Sequence, residues 1–174
     1  MLNNEQISFF NTNGYLTVNN IISQNIISKL KSDFHAWVTE SEKHKNPFGL
    51  MINNKPRFDI EKGHSSEFPK LRRINSPDEI SNEYFNVMAD SKITDAVADL
   101  IGPNIRLHHT KINSKLPGAK TEVKWHQDFA FTPHTNDNVV TALLMIDDVT
   151  ELNGPLEVQP GSQKGNLHSH WHND

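Results

Sequence analysis

Cysteine is missing altogether from the 174 residues, which excludes a disulfide scaffold, thiolate metal sites and cysteine nucleophiles together. Basic clusters are missing too. With a net charge of −4 and its lysines and arginines scattered, the chain carries no footprint for nucleic acid or an anionic membrane, and neither partner is expected. No apolar run is long enough to span a bilayer. The opening Met1-Leu2-Asn3-Asn4-Glu5 has neither a basic region nor an apolar core, so no signal peptide is expected and a cytoplasmic location is the default. Repeats, linkers and low-complexity tracts are absent as well. What is present is ordinary for a globular domain: 22% charged and 35% hydrophobic residues, at a length suited to one domain over residues 1–174. Histidine alone stands out, with ten copies, three of them among the last seven residues.

The first part of the chain, to about residue 103, reads as helical. Asn4 is a cap for a short helix over 4–13, and Gly14 suits the position just past its end. Tyr15 to Val18 alternates like a short strand. Ser23 caps a longer helix whose Ile26, Ile27, Leu30, Phe34, Trp37 and Val38 recur at the helical period, a packed face rather than a cofactor contact. Residues 43–75, broken by Pro47, Gly49, Pro56, Gly63 and Pro69, suggest loops with short strands around Phe58-Asp59-Ile60. Arg72 and Arg73 there are either solvated charge or a contact for an anionic substrate. Helices are expected to start at Ser76-Pro77-Asp78-Glu79 and again at Ser91, the second ending at Gly102.

From about residue 104 to 174 the pattern turns to β. Strands are expected over Ile105–Lys115, Thr121–Phe129, Val139–Ile146 and Leu156–Gln159, with turns at Pro117-Gly118, Asn153-Gly154 and Pro160-Gly161-Ser162. The run Val139–Ile146 is continuously apolar, as in a strand buried on both faces. Helices followed by four strands predict an α+β fold with a jelly-roll or cupin-like core. Within Lys124-Trp125-His126-Gln127-Asp128-Phe129, residues two apart on a strand share a face, so His126 and Asp128 project together. An imidazole and a carboxylate on one rigid element are two ligands of the 2-His-1-carboxylate site that holds Fe(II) and keeps positions open for an oxo-acid and dioxygen.

Several motifs in order resemble one family, the phytanoyl-CoA dioxygenase group of Fe(II)/2-oxoglutarate-dependent oxygenases. They are Glu5-Gln6-Ile7 with Asn13-Gly14-Tyr15-Leu16, Leu71-Arg72-Arg73-Ile74, Ile101-Gly102-Pro103-Asn104, Lys111-Ile112-Asn113-Ser114-Lys115, Trp125-His126-Gln127-Asp128, Asp147-Asp148-Val149-Thr150, Asn153-Gly154-Pro155-Leu156 and Pro160-Gly161-Ser162. The resemblance implies N-terminal helices packed on a double-stranded β-helix. It implies His126 and Asp128 as ligands of Fe(II), and 2-oxoglutarate as cosubstrate with Lys111, Asn113 and Gln127 at its pocket. It also implies hydroxylation of a small organic or acyl substrate by molecular oxygen, releasing succinate and CO2.

The sequence departs from that pattern in places. Leu144 stands where some members have an aromatic, and Gln163 where a histidine is common. In the family the distal histidine and the oxo-acid arginine come well after the Gly-Ser turn; here twelve residues follow Ser162 and no arginine follows Arg106. His168, His170 and His172 alternate and would share one face if extended, so they are candidates for a third ligand or a separate Zn or Ni site. The chain is therefore expected to be the N-terminal part of a longer enzyme, with an incomplete β-core. Two functions follow: an oxygenase, or a jelly-roll module that binds a metal or small ligand without turnover. Succinate formation that needs Fe(II) and is lost in His126→Ala separates them.

Overall fold

The structure, a computed structural model, describes residues 1–118 and 122–169. Helix α1 (Asn4–Asn13) has the expected bounds, but Asn3 and not Asn4 is its cap. The Asn3 side chain accepts from the Gln6 N–H while the Gln6 side chain accepts from the Asn3 N–H, a reciprocal capping box. Gly14 closes the helix in the left-handed region at φ 80°. Helix α2 (Gln24–Ser41) starts at the expected Ser23 cap and turns Leu30 and Phe34 inward. Tyr15 to Val18 forms no strand.

The proline-broken segment holds most of the sheet. Strands β1 (Phe48–Ile52) and β2 (Lys55–Ile60) pair as a hairpin across Asn53-Asn54, both at positive φ (47° and 63°). This is the primed turn that suits the right-handed twist of two strands, and asparagine tolerates it better than most residues. Strand β3 (Leu71–Asn75) pairs antiparallel with β2 and with β4 (Lys111–Asn113), giving one sheet in the order β1-β2-β3-β4. The cross-strand row Phe48, Phe58, Ile74 and Ile112 runs across one face. Helix α2 covers that face: Phe34, Ile60, Leu71 and Ile74 form the buried cluster, with Trp37 and Val38 packed against it. Leu71 and Ile74 are fully excluded from water. Burying a side chain of that size contributes about 1.5–3 kcal/mol.

A short 3-10 turn (Pro77–Glu79) replaces the helix expected at Ser76. Helix α3 (Asn82–Ala89) starts only at the Ser81 cap, and α4 (Lys92–Ile101) follows from Ser91 as expected. Arg57 pins the 3-10 turn to β2. Its guanidinium is buried, with Nη1 donating to Ser76 O at 2.7 Å and Nη2 to Glu79 at 2.5 Å. The same turn holds the start of β4, because Ser76 N–H donates to Thr110 O at 3.1 Å and the Thr110 hydroxyl donates to Asp78. The buried core and β4 thus share one connection.

The β pattern expected after residue 104 is corrected in several places. Of the run 105–115, only Lys111–Asn113 pairs, against β3. Residues 122–127 join no ladder, and Asp128–Ala130 is a 3-10 turn rather than the end of a strand; Thr121 lies outside the described residues. Val139–Ile146 and Leu156–Gln159 form no ladder among the described residues. Val139, Leu143 and Met145 are exposed instead of buried on both faces. The physical reason is shared: an apolar run becomes a buried strand only when neighbouring strands take its N–H and C=O groups, and among the described residues none does so. The observed class is α+β with one antiparallel sheet. The Asn153-Gly154 turn forms as expected. Asn153 Oδ1 accepts from Thr150 N–H at 2.8 Å, and Lys115 Nζ donates to Gly154 O at 2.8 Å.

Candidate metal centre

His126 and Asp128 face each other without a strand to align them. His126 Nε2 lies 3.3 Å from Asp128 Oδ1, and both side chains are partly open to solvent. Local chemistry sets the histidine tautomer. Nδ1 is 2.7 Å from Lys124 O, and a carbonyl can only accept, so Nδ1 carries the proton in the neutral ring. The Nε2 lone pair is then turned toward a carboxylate oxygen. Two lone-pair carriers facing each other at this distance form a pocket that a cation would fill. A separation of 3.3 Å also suits two ligands on adjacent corners of an ion about 2.1 Å from each. A histidine whose other nitrogen donates to a backbone carbonyl is the usual support for a metal ligand. Asp128 has support of its own: Oδ2 accepts from the Thr141 hydroxyl at 3.1 Å. Thr141 was not singled out from sequence, although a hydroxyl inside the apolar run Val139–Ile146 was a signal for it.

The other expected site residues fall in two places. Lys111 and Asn113 lie together on the outer face of β4, exposed, opposite Asn75 and Arg73 of β3. Arg73 Nε reaches Asn113 Oδ1 at 3.4 Å, whereas Arg72 is paired with Asp59 at 2.8 Å. Gln127 turns away to the segment beyond residue 160, where it donates to Asn166 O at 3.2 Å and accepts from His168 N–H at 2.8 Å. His109 links the two places electrostatically. Burial first, then the charges of His108 and Lys111, hold its imidazole below the ordinary value, while Asp128 pulls the other way. Its Nδ1 is 2.6 Å from that of His108, within hydrogen-bond reach of it. His134 packs edge-on against His108 at 4.9 Å.

No third ligand joins the pair: among the described residues no three His, Cys, Asp or Glu side chains converge as a bound metal requires. His168 lies beside Gln127 through its backbone, and His170 and His172 lie outside the described residues. Among the described residues no helix is long and apolar enough to cross a membrane.

The family model for phytanoyl-CoA dioxygenase (PhyH) matches residues 10–173, and the chain belongs to that family. A probable alpha-ketoglutarate-dependent hypophosphite dioxygenase of Stutzerimonas stutzeri is 33% identical over 157 residues, covering 90% of this chain and 52% of that protein. The peroxisomal phytanoyl-CoA dioxygenase of Rattus norvegicus is 29% identical over 176 residues, covering 98% and 50%. An L-proline trans-4-hydroxylase of Streptomyces griseoviridis is 31% identical over 123 residues, covering 68% and 44%. The chain spans about half the length of these relatives.

Proposed function

We propose that this chain supplies the His-x-Asp part of an Fe(II)/2-oxoglutarate-dependent dioxygenase, built on the family's jelly-roll, that hydroxylates a small organic or acyl substrate. The observation that carries the reading is the lone-pair pocket between His126 Nε2 and Asp128 Oδ1, with a backbone carbonyl behind one ligand and a hydroxyl behind the other. Fe(II), when bound, supplies the redox chemistry by which dioxygen splits 2-oxoglutarate to succinate and CO2. The chain's own residues do the placing. Lys124 O keeps the Nδ1 proton on His126 and so keeps Nε2 available. Thr141 fixes which carboxylate oxygen of Asp128 faces the histidine. Lys111 offers an ammonium for the carboxylate of an oxo-acid, and Asn113 an amide, from the outer face of β4. The names of the relatives support this reading: one is a probable alpha-ketoglutarate-dependent dioxygenase of hypophosphite, and the others are a dioxygenase of phytanoyl-CoA and a hydroxylase of L-proline, so the substrate differs among them.

The test is succinate production from 2-oxoglutarate by the purified protein. Turnover that requires added Fe(II) and is abolished in His126→Ala and Asp128→Ala is the expected result. Turnover of equal rate without iron would remove the proposal, and metal binding without succinate would favour the module that binds but does not react.

A further inference from the structure

Gln127 sits between the two proposed ligands, and the residues it holds lie forty positions away. Its amide makes two bonds, to the carbonyl of Asn166 at 3.2 Å and to the N–H of His168 at 2.8 Å. Those are the two groups flanking Leu167 that an opposing peptide takes in a parallel β pairing. The side chain therefore makes the two bonds of one rung of such a pairing. Five residues before His168 the same segment is tied a second time. Gly161 N–H donates to Asn13 O at 2.8 Å, and Gln163 Nε2 reaches Asn11 O at 3.4 Å and Thr12 O at 3.3 Å. These are carbonyls of the last turn of α1, which have no partner inside the helix. Gly14 leaves room for this contact: a Cβ there would lie 2.3 Å from Gln163 Oε1. From Gln163 to Asn166 is three peptide steps, at most about 11 Å of chain, so the two anchors constrain each other.

We propose that Gln127 is a positioning residue of the metal centre, and that residues 161–168 are a strap clamped between Gln127 and the C-terminus of α1. With its side chain pinned at both polar ends, Gln127 cannot rotate, and the backbone that carries His126 on one side and Asp128 on the other is held with it. The strap makes the end of α1 part of the support of the site, although α1 contributes no ligand. This rests on the metal-site reading above, but the strap itself is a statement about the metal-free chain.

The experiment uses two substitutions and two readouts on the whole chain. Gln127→Met keeps the length of the side chain and removes both polar ends; Gln163→Leu cuts the distant anchor and touches neither ligand. The readouts are the exchange rate of the His168 amide in the metal-free protein and the affinity for Co(II) as a probe ion. Gln127→Met is expected to speed His168 exchange at least about tenfold and to weaken Co(II) about tenfold, the scale of losing a residue that orients a ligand. Gln163→Leu is expected to shift both in the same direction by a few-fold. Unchanged His168 exchange in both variants overturns the strap, whether or not metal binds. Faster exchange with unchanged Co(II) affinity overturns the positioning role and leaves Gln127 a structural rung. If the wild-type chain binds no Co(II), the metal-site reading fails and the positioning role with it, while the exchange data still decide the strap. If Gln127→Met does not fold, Gln163→Leu decides both points, because its bonds are at the surface.

Discussion

The ion pair between Arg57 and Glu79 joins two different environments, and removing either half should not cost the same. Arg57 is 4% exposed, whereas the Glu79 side chain is 52% exposed. Glu79→Ala leaves the guanidinium in the interior, still bonded to Ser76 O. Breaking a buried pair by removing one partner costs about 3–5 kcal/mol; with half of this pair in water and one acceptor retained, about 2–3 kcal/mol is expected. Arg57→Met keeps the volume of the stem and lets the carboxylate return to water. It loses the hydrogen bonds and leaves one carbonyl unsatisfied, which costs about 1–2 kcal/mol. The exposed partner is thus the more damaging one to delete, by roughly 1 kcal/mol, against the usual ranking by burial. Urea unfolding of both variants, compared at constant m, reads this directly. Arg57→Met as destabilising as Glu79→Ala, or more so, would refute the reasoning. The pair bears on function because the turn it pins also holds Thr110 at the start of β4.

Three further expectations test other parts. Leu71→Ala empties a fully buried position between sheet and helix and should cost about 2–5 kcal/mol in the same unfolding assay; a loss below 1 kcal/mol would mean that this cluster is not the core. His109 should titrate below 6.5 by NMR, chiefly because its ring is partly desolvated, and Lys111→Met should move it upward. Because the folded value is depressed, its contribution to stability is complete above the ordinary value and is lost as pH falls through the folded one. A midpoint at or above 6.5 would contradict its placement. Thr141→Val should weaken metal binding about tenfold by freeing the Asp128 carboxylate, and unchanged affinity would deny the hydroxyl that role.

Helices were easy to read from the sequence because their determinants are local. Ser23 and Ser91 cap where the pattern places them, and the apolar stripe of α2 meets the sheet. Short strands were expected around Phe58-Asp59-Ile60, but Asn53-Asn54, the turn of the β1–β2 hairpin, was not singled out because the prolines around it pointed to loops. The later strands show the limit of such reading. Alternation marks residues that suit a strand, whereas a ladder also needs a partner at long range, which no local pattern encodes. The same distinction holds at the site. The spacing of His126 and Asp128 was visible, although a turn and not a strand brings Asp128 round. Thr141, the carbonyl of Lys124 and the strap at Gln163 were not, because each depends on where a distant or unpatterned group comes to rest. Gln127 was expected at an oxo-acid pocket, and the bonds of its amide to Asn166 and His168 carried no signal in the sequence.

An anaerobic titration of the protein with Fe(II), repeated on His126→Ala and Asp128→Ala, addresses the central claim without relying on substrate. One ion held in the wild type and released in both variants is the predicted result. Iron bound as tightly after either substitution, or not bound by the wild type at all, would contradict it.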